Sequence, residues 1–230
     1  MRDGRMNSLA TRTILGFAQL ILALALVIFV AAGTLDFWQA WLYLAVFAIS
    51  SGLITIYLWL HDPHLLERRV RAGPVAEQQR SQRIIQLCAA VTFLAIFVVS
   101  GLDHRYGWSS VPLAVVILGA CLVTLGFYIV LVVFKENTFT SATIEVAADQ
   151  TVVSTGPYAL VRHPMYSGAL VMLVGTPLTL GSWWGLLPVL VMGVVIVWRL
   201  LDEERLLART LRGYTDYRQQ VRFRLVPFVW

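Results

Sequence analysis

Two clusters of polar residues border long apolar runs in this 230-residue chain, and they are its best candidates for chemistry. The first is the segment 156–166, GPYALVRHPMY, which holds an arginine, a histidine and two tyrosines and leads into an apolar run. The second follows the last apolar run and consists of Arg199, Asp202, Glu203 and Glu204. Polar clusters at the mouths of membrane segments are costly unless a function needs them there. The two clusters therefore predict two halves of one site.

The side chains of the two clusters suit a ligand that carries both charges. Pro164 fits the first turn of a helix, where its missing N–H costs nothing, so Arg162 and His163 should lie at a helix N-terminus that favours a carboxylate. Glu203 and Glu204 suit an amine or a ribose hydroxyl, although acidic residues at the start of a solvated helix need no ligand. S-Adenosylmethionine has all of these groups, but the residues alone indicate only a cofactor or headgroup site.

Apolar runs must position both clusters. The chain is 58% hydrophobic and 13% charged, whereas soluble domains carry about 25% charged residues. Runs that approach the roughly 20 residues needed to span a bilayer lie at 14–33, 38–60, 84–102, 111–134, 165–181 and 183–201. The fifth is short and contains Pro177, so the last two are predicted to form a tight hairpin around Gly181 and Ser182. The pattern predicts an all-α integral membrane protein with five to six transmembrane helices.

The remaining segments add shorter elements to this single domain, 1–230. Apolar and aromatic residues recur at three- and four-residue spacing over 206–221, which predicts a C-terminal amphipathic helix. Two β-prone runs, 143–146 and 150–153, predict a small hairpin before the turn at 156–157. The segment 64–83 mixes leucines with arginines and is predicted to lie along the membrane interface. Both polar clusters fall in the second part of the domain, 135–230.

The basic residues predict an orientation. Of the 18 lysines and arginines, 17 lie in the N-terminal segment, in the loops after the second and fourth runs, or in the C-terminal tail, and Arg105 is the exception. The positive-inside rule therefore places both termini and both polar clusters in the cytoplasm. The net charge of +5 then reflects topology and contact with anionic headgroups, not nucleic-acid binding. Cys88 and Cys121 are interpreted as packing residues, and no metal site is predicted.

The order of the motifs resembles a known family. G-P-Y-x-x-V-R-H-P-x-Y-x-G at 156–168 is followed by E-E-x-x-L at 203–207, by G-Y-x-x-Y at 213–217 and by Pro227. This pattern is similar to the isoprenylcysteine carboxyl methyltransferase family, which belongs with the membrane phospholipid methyltransferases. The resemblance covers about 135–230, and it implies a membrane methyltransferase that uses S-adenosylmethionine in a cytoplasmic pocket. A lipophilic acceptor would then enter from the bilayer.

The resemblance also assigns roles to residues. It implies that the cofactor is bound by Gln150, Thr151, Val152, Val153, Tyr158, Arg162, His163, Pro164, Met165, Tyr166 and Glu203. The family often has a histidine where this chain has Gln150. The catalytic candidates are Arg199, Glu203 and Glu204: Arg199 would hold the acceptor, and Glu203, or alternatively Glu204, would contact the cofactor.

Three functions remain open at this point. Carboxyl methylation of a prenylcysteine-like acceptor requires no general base, because a carboxylate is already ionised at neutral pH. Methylation of a phospholipid or another lipid at nitrogen or oxygen is the second possibility. A phospholipid amine would require a proton acceptor, for which Glu203 or Glu204 is the candidate. The third possibility is a nicotinamide-dependent membrane reductase of similar helical build, or a non-catalytic membrane protein. The missing G-x-G-x-x-G motif argues against a Rossmann domain.

Overall fold

The computed structural model describes the backbone of residues 2–70, 80–138 and 151–230, and over these residues the protein is all-α, as predicted. The helices are α1 Arg2–Ala32, α2 Trp38–His61, α3 Pro63–Val70, α4 Arg80–Tyr106, α5 Leu113–Glu136, α6 Pro164–Thr179, α7 Leu186–Thr210 and α8 Tyr214–Gln220. One turn of 3-10 helix, Gly156–Ala159, precedes α6. The predicted start of a helix at Pro164 is therefore confirmed.

Four segments of this part of the chain are long and apolar enough to cross a membrane. They are Leu9–Ala32, Trp38–His61, Ser81–Tyr106 and Leu113–Glu136. α6 has only 16 residues, fewer than the roughly 20 that a span needs, and α7 becomes charged from Arg199 onward. The predicted count of five to six spans is thus not confirmed. The connection between α6 and α7 is short, residues 180–185, and Gly181 there has a φ of +69°.

α5 and α6 form the most extensive helix pair of the bundle because glycines bring their backbones together. A Cβ atom on Gly126 would lie 2.6 Å from the carbonyl oxygen of Gly168, and a Cβ on Gly175 would lie 2.6 Å from that of Gly119. Small residues are the usual means by which membrane helices approach closely. The pairing places the start of α6 beside the end of α5, which is where the first polar cluster begins.

Polar contacts at the two ends of α4 identify the two ends of the bundle. Near its C-terminus, buried Asp103 accepts hydrogen bonds from Ser109 (N, 2.7 Å; Oγ, 2.6 Å) and from Ser182 in the α6–α7 connection. Near its N-terminus, Ser81 donates to Asp202 of α7 at 3.1 Å, and Gln82 donates to the same carboxylate. The second polar cluster therefore lies at the end where α4 begins.

Three predicted segments have partial outcomes. α3 occupies the start of the segment 64–83, and residues 71–79 lie outside the described residues. The β-prone run 143–146 and Gln150 also lie outside the described residues. The C-terminal amphipathic helix is not continuous: α7 ends at Thr210 and α8 begins at Tyr214. Gly213 separates them with a φ of +83°, a value that glycine adopts without steric penalty.

We expect Gly126→Ala to destabilise the helical bundle. The added methyl group would meet the backbone of α6, and overpacking of this kind costs about 1–3 kcal/mol. The thermal unfolding temperature in detergent should fall by several degrees. Gly193→Ala is the matched control, since a Cβ at Gly193 has no neighbour within 4 Å. Equal unfolding temperatures for both variants would contradict the role of the glycine contact.

Candidate active site

Glu204 is the centre of a buried cluster of charges. Its side chain is 4% exposed. Arg162 Nε donates to Oε1 at 2.7 Å, His163 Nε2 lies 3.3 Å from the same oxygen, and Arg224 Nε donates to Oε2 at 3.1 Å. Removal of one partner of such a cluster leaves a buried charge without compensation. The cluster therefore fastens the turn before α6, helix α7 and the C-terminal tail to one another.

The partners of Glu204 also fix its charge. Burial by itself raises the pKa of this carboxyl group, but the hydrogen bond and charge of His163, the charge of Arg162 and the hydrogen bond from Arg224 outweigh it. The net effect lowers the pKa of Glu204 from 4.5 to about 2. Glu204 is ionised at neutral pH and both of its oxygens are engaged, so it does not suit the role of proton acceptor.

The C-terminal tail binds to the start of α6 through the backbone as well. The N–H groups of Arg162 and His163 donate to the carbonyl oxygens of Phe223 and Arg224 at 2.9 and 3.0 Å. Ser167 Oγ donates to the carbonyl oxygen of Leu225 at 2.6 Å. The N–H groups of both residues that precede α6 are therefore already satisfied by the tail. This arrangement has no signal in the sequence, where Arg224 is only one more basic residue of the tail.

Glu203 has different partners from its neighbour. The hydroxyl of Tyr166 donates to Glu203 Oε2 at 2.7 Å, and Arg199 Nε donates to the Tyr166 oxygen at 3.0 Å. One tyrosine hydroxyl thus links a guanidinium and a carboxylate across α6 and α7. All three residues are half-buried, so the link is partly accessible, unlike the cluster around Glu204.

An aromatic wall stands beside these polar groups. Asn137 Nδ2 donates to the hydroxyl of Tyr158 at 3.0 Å, and the hydroxyl of Tyr217 donates to the carbonyl oxygen of Tyr158 at 2.7 Å. Burial raises the pKa of Tyr158 to about 12, so this phenol is neutral at physiological pH. Tyr158 and Val152 pack on Tyr214 and Tyr217. The buried hydroxyl of Tyr214 has no hydrogen-bond partner among the described residues.

The structure brings the two predicted halves of the site together at one end of the bundle. Arg162 and His163 join Glu204, and Tyr166 joins Arg199 and Glu203. The other predicted residues have mixed positions: Pro164 is buried, Val152, Val153, Tyr158 and Met165 are half-buried, and Thr151 is exposed. Gln150 lies outside the described residues.

Arg69 is a site neighbour that the sequence did not indicate. It lies near the end of α3, its Nη2 is 3.4 Å from Met165 Sδ, and its guanidinium is 4.6 Å from the centre of the Phe134 ring. Burial lowers the pKa of Arg69 to about 10, which leaves it protonated at neutral pH. In the sequence it was one of several arginines that the positive-inside rule already explained, so no separate signal was present.

A family model described as phospholipid methyltransferase matches residues 114–213. The match begins at the start of α5, includes the turn, α6 and α7, and ends before α8. No curated protein matches the chain. The family match confirms the resemblance to the membrane phospholipid methyltransferases, and it begins earlier than the boundary at 135 because it includes α5.

The stability of the protein at acidic pH should depend on the ionisation of Glu204. Its pKa is lower in the folded state than the ordinary value of 4.5, so its stabilisation is complete above that value and is lost as the pH falls toward 2. Thermal unfolding between pH 6 and 3 should show this loss in the wild type and a flatter dependence in Glu204→Gln. Glu203→Gln is the control and should retain the wild-type dependence. The same pH dependence of thermal unfolding in Glu204→Gln as in the wild type would contradict the role assigned to Glu204.

Proposed function

We propose, from the match of residues 114–213 to the phospholipid methyltransferase family model, that this protein is an integral membrane methyltransferase. It transfers a methyl group from S-adenosylmethionine to a lipophilic acceptor that enters from the bilayer. The observation that carries the proposal is the Tyr166 hydroxyl, which joins Arg199 to Glu203 across α6 and α7. This link places a cation and an anion in one half-buried site, as a zwitterionic cofactor and a polar acceptor group require.

The available donors and acceptors fit the cofactor. Glu203 is the accessible carboxylate for an amine or a ribose hydroxyl, since both oxygens of Glu204 are engaged by Arg162, His163 and Arg224. Tyr214 offers a buried hydroxyl that has no hydrogen-bond partner among the described residues. The cluster of Val152, Tyr158 and the C-terminal tyrosines offers apolar and aromatic surface for adenine. We therefore assign the cofactor contact to Glu203, and we assign Glu204 to the ion cluster that holds the site together.

A carboxylate on a prenylcysteine-like lipid is the first candidate acceptor. The bound cofactor supplies a methyl group on a positively charged sulfur, so that the C–S bond breaks as an acceptor oxygen or nitrogen bonds to the methyl carbon. Arg199 would orient an acceptor carboxylate through its planar guanidinium, and Tyr166 and Glu203 hold that guanidinium in place. Orientation and exclusion of water are then the main contributions of the protein, on the order of 7–11 kcal/mol.

A phospholipid amine is the second candidate acceptor, and the description of the matching family favours it. An amine must be neutral to attack, so a proton has to leave it. Glu203 is the candidate proton acceptor, because it is half-buried and its hydrogen-bonded partner is a tyrosine hydroxyl. Glu204 does not suit this role, since its pKa is about 2.

We place the site at the cytoplasmic face of the membrane. The end of the bundle that contains the site also contains Arg69, Arg162, Arg199 and Arg224. Arg105 lies at the other end, where its guanidinium is close to Gly33. This asymmetry agrees with the excess of basic residues expected on the cytoplasmic side. The cofactor would therefore enter from the cytoplasm and the acceptor from the bilayer.

Purified protein in detergent should bind S-adenosylhomocysteine saturably in isothermal titration calorimetry, and it should not bind NADPH. Glu203→Gln should weaken this binding by roughly tenfold, because it removes an accepting charge near the ligand's amine or ribose. Asp36→Asn is the matched control, since Asp36 is exposed and lies just before α2, away from the site. Preference for NADPH, or no binding of either compound, would contradict the methyltransferase proposal.

The acceptor class should be visible in the chemistry of the product. Protein supplied with methyl-labelled S-adenosylmethionine and a farnesylcysteine derivative should form a methyl ester, which alkali hydrolyses to labelled methanol. Arg199→Lys should lower kcat by about 10- to 100-fold, because an ammonium group cannot reproduce bidentate contact with a carboxylate, and it should leave S-adenosylhomocysteine binding nearly unchanged. An alkali-stable product formed on phosphatidylethanolamine would instead assign the amine. Wild-type turnover of the carboxylate by Arg199→Lys would contradict the role of Arg199.

A further inference from the structure

A groove of about 480 Å³ runs along the surface of the bundle between α1, α2 and α5. Its inner wall is made of buried apolar side chains, Phe47, Ile54, Leu58, Leu66 and Phe134. Its outer edge is formed by α1, where Gly16 and Leu20 are exposed. From Arg12 to Leu20 the groove follows about 12 Å of helix, and its volume is that of a small-molecule site.

One end of the groove is cationic. The described residues that line it include two arginines, Arg12 of α1 and Arg69 of α3, and no acidic residue. Both arginines lie at the end of the bundle that contains the candidate active site, because Arg69 contacts Met165 of α6 and the ring of Phe134. The opposite end of the groove, at Leu20, Phe47 and Phe127, is apolar. The groove thus has the polarity of a lipid that carries an anionic head.

A buried polar atom in the groove also points to a ligand. Thr13 lines the groove and is 9% exposed, and its hydroxyl has no hydrogen-bond partner among the described residues. A buried hydroxyl without a hydrogen-bond partner destabilises the protein unless a ligand supplies one. Thr13 follows Arg12 directly, so its hydroxyl lies at the cationic end of the groove. An oxygen of a lipid head or of its ester linkage could accept its hydrogen bond.

We propose that this groove binds one hydrocarbon chain of an anionic phospholipid from the surrounding membrane, with the phosphate head held by Arg69 and Arg12. The aromatic and aliphatic wall takes the chain, and the hydroxyl of Thr13 bonds to an oxygen near the head. Arg69 contacts both the groove and the start of α6, so the bound lipid borders the candidate active site. This inference concerns binding and does not depend on methyl transfer.

The structure offers a variant that fills the groove without disturbing the fold. A Cβ on Gly16 has no neighbour within 4 Å, although Gly16 lines the groove. Gly16→Phe should therefore occupy the space of the hydrocarbon chain. Gly193→Phe is the matched control, because Gly193 also has open space at its Cβ and lies on α7, away from the groove.

The test is native mass spectrometry of the full chain in detergent with equal amounts of phosphatidylglycerol and phosphatidylcholine of identical acyl chains. Wild type and Gly193→Phe should retain phosphatidylglycerol about thirtyfold better than phosphatidylcholine, as expected for two arginines that each contribute about 1 kcal/mol near a lipid head. Gly16→Phe should reduce lipid retention by roughly tenfold. Arg69→Gln should lower the preference for phosphatidylglycerol to about fivefold, because Arg12 remains, and Arg69→Lys should restore it.

Two results would overturn the inference. Equal lipid retention by Gly16→Phe and Gly193→Phe would show that the chain does not lie in the groove. Equal retention of the two lipids by the wild type would show that the arginines do not select an anionic head. Binding of S-adenosylhomocysteine, measured on the same samples, reports separately on the proposed methyl transfer, so failure of either proposal is distinguishable from failure of the other.

Discussion

The charge compensation of one buried carboxylate organises the end of the protein that contains the candidate active site. Glu204 is almost fully removed from solvent, and a charge in that position is stable only with close cationic partners. Arg162 and Arg224 supply them, and His163 adds a polar contact; these residues come from the turn before α6 and from the C-terminal tail. Because successive residues on a helix point about 100° apart, fixing Glu204 inward directs Glu203 toward a different side, where Tyr166 and Arg199 lie.

The helix packing carries this arrangement into the membrane part of the molecule. Glycines on both helices let α5 and α6 touch through their backbones, which sets the position of Tyr166 and Met165 relative to Asn137 and Phe134. The placement of α7 depends on polar contacts at both ends of α4: Ser81 at its start donates to Asp202 of α7, and Asp103 near its end accepts from Ser182, which precedes α7. Site geometry therefore depends on contacts far from the site, including some at the opposite end of the bundle.

The candidate active site and the lipid groove meet at Arg69. This half-buried arginine lies between Met165, at the start of α6, and Phe134, which lines the groove. Its position therefore connects the two sites that we propose. The burial that lowers its pKa leaves it charged, so it can serve either as a lipid-head partner or as a cation beside the site.

The sequence by itself determined the all-α membrane class, the start of α6 at Pro164 and the pairing of the 156–166 motif with the 199–204 cluster. These features depend on local composition, helix chemistry and motif order. The tertiary structure decided which glutamate is buried, since Glu203 and Glu204 are chemically identical in sequence and differ only in what faces them. It also decided the contacts of Arg69 and Arg224, because a sequence with many arginines does not distinguish a charge that sets the topology from one that holds the structure together. The tertiary structure also decided that the helix predicted over 206–221 is interrupted at Gly213, because Tyr214 and Tyr217 pack on the turn before α6.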